Sequence, residues 1–502
     1  RRAEIALRRG FGDPDRAMAS IDSMGRRRTP FSPTGDPAAA VALVSEALAS
    51  PDPDQALAHL ADFASALQAP EPYFKLLGER RRVARLLLSL FGTSDFLSKR
   101  FLRHPEMIDA LLREDQVALV KEKERMAEEL DERLASFPAS MQIDEAMERK
   151  LGEVRRYRNE EMLRIAIHDI AGSIDLGSVA AQLTTLAEIC IERCLALAEE
   201  ESRVKGYAPP GRLCVVGMGK LGGRELGYHS DLDLVFLYSG GAEQGHERYS
   251  RLAQRFMAFL QMPLREGRLY QIDTRLRPSG NQGALVVGTE GFARYHMGNA
   301  GGGEKPQVRS QLWERQALLR ARFVAGDPAP FEEVRDRVLV PVLFGEPEDR
   351  AALAAEIRRM RERMESELGK ESTRGMNPKT GRGGIVDVEF AAQYLQLAHG
   401  HAHPGVRTTS TPEALDRLRK AGLLRELDYK PLLAGYEFLR RVALRLRIVH
   451  DFAVDHLPAD GRPLEQLARR LGYYGVNPGH RFREDYDRIT HAVRQAFDEV
   501  VQ

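Results

Sequence analysis

The segment GMGKLGGRELGYHSDLDLVFLY, residues 217–238, gathers the residues best able to do chemistry. A glycine-rich turn runs into a strand-like apolar stretch whose polar members are Asp231 and Asp233. Three readings compete for it. Gly217, Gly219 and Gly222 match G-x-G-x-x-G, the dinucleotide fingerprint, but only eight residues separate Gly222 from Asp231, two of them Gly223 and Gly227. That is too short and too glycine-rich for a crossover helix, and the acids precede the apolar run instead of ending it. A P-loop fails because no Gly-Lys-Ser/Thr occurs here. In the structural reading, the two aspartates are solvated acids on an exposed strand face. Beside Leu232, Leu234, Val235, Phe236 and Leu237, however, two close carboxylates repel one another and are costly to desolvate.

The third reading is nucleotidyl transfer. Residues i and i+2 of a strand share a face, so Asp231 and Asp233 converge. Asp273, in RLYQIDTRLRPSG, supplies a third carboxylate from a neighbouring strand. Two Mg²⁺ ions held by such a set neutralise a triphosphate, activate an attacking hydroxyl and stabilise leaving pyrophosphate. The turn, through Gly219, Gly222 and Gly223, offers backbone N–H groups to phosphate. Lys220, Arg224, Arg275 and Arg277 add positive charge, and Ser230 caps the turn within reach of phosphate.

Positioning these residues requires a sheet set among helices. Apolar residues recur at three- and four-residue spacing over 38–48, 54–67 and 72–90, and a more charged helix is expected over 116–133. Residues 145–174 and 178–202 read as two long antiparallel helices. The period then changes. Short apolar runs at 212–217, 231–238, 268–276 and 284–288 read as strands, with a helix from Glu247 to Leu260 and a short one from Leu312 to Arg322. Helical patterns resume over 349–369, 384–398, 411–421, 424–452, 463–471 and 481–501. The expected fold class is α+β, mostly helical, with a small mixed sheet flanked by helical bundles. The expected divisions are a linker at 1–45 from a missing upstream half, a helical region at 46–205, a catalytic domain at 206–330 and a helical domain at 331–502.

Lysine plus arginine totals 74 and aspartate plus glutamate 73, so no net field favours nucleic acid. No apolar stretch is long enough to span a bilayer. Cys190, Cys194 and Cys214 lie in apolar surroundings without a Cys-x-x-Cys pair, which argues for core thiols over zinc or disulfides. A cytoplasmic protein, with neither membrane nor nucleic acid as partner, is expected. Trp313, the single tryptophan, is expected to pack behind the sheet. Asp387 and Glu389 fit the first turn of a helix, complementing its dipole.

Residues 219–238, GKLGGRELGYHSDLDLVFLY, resemble the glutamine synthetase adenylyltransferase family within the DNA polymerase β superfamily of nucleotidyltransferases. The resemblance continues through DTRLRPSGNQGALVV (273–287), LWERQALLRARFVAGD (312–327), GRGGIVDVEFAAQYLQL (381–397) and RRYRNEEMLRIAIHDIAG (155–172). It implies a polymerase β-like core and transfer of AMP from ATP to a tyrosine of glutamine synthetase, with PII protein and glutamine as effectors. It also implies a role beside the active site for Asp387 and Glu389. Members carry two such units in tandem. Gly227-Tyr228 before Ser230-Asp231, RPSGNQGALVV and VDVEFAAQYLQL resemble the C-terminal, adenylylating unit. One departure is Gly219-Lys220 where the superfamily usually has Gly-Ser, which makes a phosphate contact there ionic. The alternatives are phosphorolytic deadenylylation releasing ADP, uridylyl transfer to PII, and a non-catalytic nucleotide-binding scaffold.

Overall fold

Aspartate–proline pairs open the first helices. Asp13, Asp36 and Asp52 are N-caps whose carboxylates accept backbone N–H groups two or three residues on, and each is followed by a proline whose missing N–H costs nothing there. They begin α1 (Pro14–Gly25), α2 (Pro37–Ala49) and α3 (Pro53–Ala66). The computed structural model describes residues 10–105, 108, 119–138, 140–239, 243–298, 310–347, 349–369, 376–449 and 454–502. Of the expected linker 1–45, residues 1–9 lie outside the described set, and the remainder carries α1 and most of α2, with Ala17, Met24 and Leu43 buried. The helix expected over 72–90 is two, α4 (Glu71–Glu79) and α5 (Arg81–Thr93), because Arg80 leaves helical conformation at φ −113° and ψ 80°. After α6 (Asp95–Arg103), the helix expected over 116–133 begins late, as α7 (Lys123–Ala135), and residues 116–118 are outside the described set.

The chain forms two contact units that cut across the divisions expected from sequence. The first comprises 1–121, 159–179 and 441–486. Its core includes Phe63, Phe74, Phe91 and Phe101, with ring centroids 5.7–6.3 Å apart. Arg445 grips the Asp169 carboxylate within it through bonds of 2.6 and 2.7 Å. The second unit comprises 122–158, 180–440 and 487–502 and holds every strand. Within it the parts of α8 (Ile143–Ile170) and α9 (Leu176–Val204) that it includes, 143–158 and 180–204, run antiparallel, as expected, with Lys150 3.2 Å from Glu200 and Lys205 2.8 Å from Asp144. Cys190, Cys194 and Cys214 are buried free thiols.

The sheet is small and mixed. Its central strand β1 (Cys214–Gly217) pairs antiparallel with β2 (Leu232–Tyr238) on one side and β5 (Arg322–Gly326) on the other. β2 in turn pairs parallel with β3 (Ile272–Asp273) at its start and β4 (Val286–Gly288) at its end. A single helical turn, α10 (Gly219–Gly222), follows β1, and α11 (Glu243–Gln261) lies on the sheet with Phe256 edge-on to Phe236 at 5.9 Å. Arg155 of α8 is 1 % exposed and donates to the carbonyls of Leu151, Phe259, Met262 and Gly267, so it secures the turn that leads into β3. α12 (Thr289–Met297) and α13 (Leu312–Leu318) precede β5. Trp313 corrects its expectation: it is 44 % exposed, and its indole N–H donates to Gln311. Beyond the helical segment 329–344 come α14 (Arg350–Gly369), α15 (Ile385–His399), α16 (Thr411–Lys420), α17 (Glu426–Arg447), α18 (Gly461–Arg470) and α19 (Pro478–Val500). The helix expected to run to 452 ends at Arg447, and residues 450–452 are not among those described. The architecture is α+β and mostly helical, as the sequence leads one to expect.

Candidate active site

The acids meet because of strand register. β2 and β3 are parallel, with Asp233 directly opposite Asp273 and Leu232 opposite Ile272. Asp231, two residues before Asp233, is exposed at the mouth of β2. The Asp233 carboxyl is pushed up to about 6, first by burial, then by the neighbouring charges of Asp273 and Asp231, while Lys379 and Lys220 pull it back. Asp273 behaves oppositely. Hydrogen bonding from Arg275 holds it below the usual carboxylate range. The Arg275 guanidinium spans both Asp273 oxygens at 2.5–3.0 Å, and its backbone N–H donates to Oδ1 at 2.8 Å. Among the described residues no three acid, histidine or cysteine side chains close around one point. The expected three-way convergence is therefore a paired Asp233 and Asp273, with Asp231 nearby and Arg275 occupying the oxygens of Asp273.

The glycine-rich turn packs directly on this pair. Met218 N–H donates to the Asp233 carbonyl at 2.9 Å, and the chain then turns through Gly219 at φ +51°. A Cβ at Gly219 would collide with the Asp233 carboxylate, so only glycine allows this approach. Gly222 and Gly223 have a packing role. A Cβ at Gly222 would strike the Arg320 carbonyl, and one at Gly223 would lie 3.1 Å from the Thr409 carbonyl. Lys220 is half-buried within the turn. Ser230 is buried and its Oγ accepts the Gly227 N–H at 3.0 Å, which closes the loop into β2.

Other expected residues are placed differently. Arg224 is exposed and reaches Thr185 Oγ1 at 3.4 Å. Arg277 donates to the Thr274 carbonyl and hydroxyl at 2.7 and 2.8 Å, so it braces the turn after β3. Asp387 is fully buried, paired with equally buried Arg361 at 2.7 Å, and accepts the Gly383 N–H at 2.5 Å. Glu389 pairs with Arg320 at 3.2 Å.

Two residues went unread in the sequence. Lys379 lies in the glycine-rich segment before α15 and contributes positive charge at Asp233. That segment is rigidly built: Asn377 Oδ1 accepts the N–H groups of Lys379 and Thr380, and Arg361 donates to the Gly381 carbonyl. Its signal was a lone lysine beside a Gly-x-Gly-Gly turn. Glu225, inside the motif itself, is 5 % exposed and accepts from Arg320, Tyr436 and the Thr411 N–H.

The donor set suits Mg²⁺. Carboxylate oxygens are hard ligands, and the Asp233 carboxyl, raised first by burial and then by the charges of Asp273 and Asp231, is one whose charged form a divalent cation would favour. Acids on adjoining strands beneath a glycine-rich turn, with lysines close by, define a site of the nucleotidyltransferase class.

Comparison with known proteins narrows this class. The family model described as glutamate-ammonia ligase adenylyltransferase matches residues 84–336, and the chain belongs to that family. Residues 351–501 match the model described as GlnD PII-uridylyltransferase. Among curated relatives, a bifunctional glutamine synthetase adenylyltransferase/adenylyl-removing enzyme of Thioalkalivibrio sulfidiphilus is 34 % identical over 436 residues, 82 % of this chain and 43 % of its own length. Proteins of the same name from Aromatoleum aromaticum (34 % identical; 85 % of this chain, 44 % of the relative) and Pseudomonas syringae (33 %; 86 % and 45 %) are similar. The chain thus spans less than half the length of these relatives.

Proposed function

We propose that this chain is the adenylylating unit of a glutamine synthetase-modifying enzyme, transferring AMP from ATP to a tyrosine hydroxyl of glutamine synthetase. The observation that carries the reading is the Asp233–Asp273 register beneath Gly219, within a region matching the adenylyltransferase family. The tyrosine oxygen attacks the α-phosphorus and the bond to the β-phosphate oxygen breaks. Pyrophosphate leaves, and the hydroxyl proton passes to the carboxylate group. Asp231, Asp233 and Asp273 are the residues that would hold two Mg²⁺ ions, which when bound neutralise the triphosphate and lower the pKa of the attacking hydroxyl. Lys220 and Lys379 contact the triphosphate, with Arg224 at its edge. Arg275 serves as counter-ion to Asp273, and Ser230 and Arg277 keep the two loops in position.

The direction of reaction rests on Gly227-Tyr228 and the RPSGNQGALVV and VDVEFAAQYLQL runs, which resemble the adenylylating unit. Phosphorolytic removal of AMP would use the same acids. Residues 351–501 match the PII-uridylyltransferase model, and from the family resemblance we assign PII protein and glutamine as effectors. The acids lie instead in the part matching the adenylyltransferase model. We assign the catalytic domain to residues 206–330. The setting we propose is cytoplasmic; among the described residues no helix is long and apolar enough to cross a membrane. Binding of ATP tests the site: it should require Mg²⁺ and vanish when Asp231→Asn is combined with Asp233→Asn. Metal-independent binding that survives both substitutions would identify a non-catalytic scaffold.

A further inference from the structure

The Glu225 carboxylate is enclosed where the catalytic turn meets the helices that follow the sheet. Its Oε2 accepts from Tyr436 Oη at 2.6 Å and Arg320 Nη1 at 3.1 Å, and its Oε1 accepts the Thr411 N–H at 2.7 Å. Its backbone is fixed as well: its N–H donates to the Lys220 carbonyl at 2.8 Å, and its carbonyl accepts from Arg440 at 2.6 Å. Arg320 extends the cluster to Glu389 at 3.2 Å and to the Thr411 hydroxyl. The backbone carbonyl of Arg320 also lies against Gly222. One arginine therefore touches the turn through its main chain at Gly222 and through its side chain at Glu225. The partners come from α15, α16 and α17, far along the chain.

Two acids and two arginines balance in charge, but enclosing them is expensive, and apolar residues would usually stabilise a core as well or better. None of the four is in the acid group that would hold metal. Their common product is the placement of Lys220 and Gly219 against Asp233.

We propose that Glu225 is a positioning residue, which with Arg320, Tyr436 and Arg440 makes the placement of the nucleotide-binding turn depend on the helices after the sheet. This rests on the functional reading above for what the turn binds. The test uses the full chain with Glu225→Gln, Tyr436→Phe and the double variant. Leu439→Ala is the control, a fully buried site on α17 outside the cluster. Melting temperature, Mg-ATP Kd and AMP transfer are measured for each. Glu225→Gln should weaken Mg-ATP binding at least tenfold, Tyr436→Phe severalfold, and the double variant no more than Glu225→Gln alone, because both act through one turn. Leu439→Ala should lower the melting temperature while leaving the Kd of folded protein within about twofold, as a truncated apolar side chain costs stability first. Unchanged Kd in Glu225→Gln, or an equal loss in Leu439→Ala at matched stability, overturns the proposal. If wild type binds Mg-ATP but transfers nothing to glutamine synthetase, the substrate assignment fails, and the Kd series still decides on Glu225.

Discussion

Asp387 and Lys379 stand in one short stretch, the first enclosed and the second exposed in the field of Asp233. Asp387 shares an enclosure with Arg361, and neither is exposed. Arg494 also lies 3.3 Å from Asp387, and removing the carboxylate leaves Arg361 with Glu365 at 3.3 Å, so the cost is at most that of a broken enclosed pair, about 3–5 kcal/mol. Asp387→Asn should accordingly lower the urea midpoint sharply. Because Asp387 also holds Gly383, the change in KM for ATP should be no larger than that in Lys379→Ala. A collapse of kcat with the midpoint unchanged would return Asp387 to the chemistry. Lys379→Ala should do the reverse. Its ammonium is exposed and lies in the field of Asp233, so its loss should raise KM for ATP about tenfold, ~1.4 kcal/mol, with little change in melting temperature. An unaltered KM would remove Lys379 from the site.

At the scale of elements, what the sequence revealed depended on how local the cause was. The strand DLDLVFLY was legible because its apolar run is bounded by a glycine-rich turn and its two acids stand one strand period apart. The strand expected over 268–276 pairs only at Ile272 and Asp273, since Arg277 bonds back to Thr274 and bends the chain away. β5 was not read at all. Its RFVAG follows α13 closely, and only pairing with β1 distinguishes it from more helix. The Glu225–Arg320 pair spans 95 residues and has no local signature, whereas the acid group needed only spacing and a neighbouring strand. The long helices hold the sheet through similar distant contacts. Glu201 of α9 is 1 % exposed and takes Arg255 of α11 at 2.5 and 2.8 Å and Lys205 at 2.7 Å. Burial alone would raise this carboxyl, but hydrogen bonds from Arg255 and Lys205 bring it below its ordinary 4.5. A depressed carboxylate lends stability that is complete above its unfolded value and is lost as pH falls through the folded one. Glu201→Gln should therefore destabilise the protein by about 2–3 kcal/mol at neutral pH, less than a fully enclosed pair because Arg255 is partly exposed. It should also flatten the acid limb of stability below about pH 4.5. An acid limb as steep as that of wild type would exclude Glu201 as its source.

For the whole molecule, near-neutral charge leaves no bulk field to draw a charged partner. The acid group, the turn above it and the residues that brace the turn belong to one unit. This predicts that the chain is active as it stands, although it spans less than half the length of its curated relatives. The most direct measurement is to incubate it with unmodified glutamine synthetase, Mg²⁺ and ATP labelled at the α-phosphate, with Asp233→Asn and a phosphate reaction on adenylylated glutamine synthetase in parallel. Label on glutamine synthetase and released pyrophosphate are expected, both lost in Asp233→Asn. Phosphate-dependent release of ADP without label transfer would contradict the proposed direction and assign the chain to the opposite reaction.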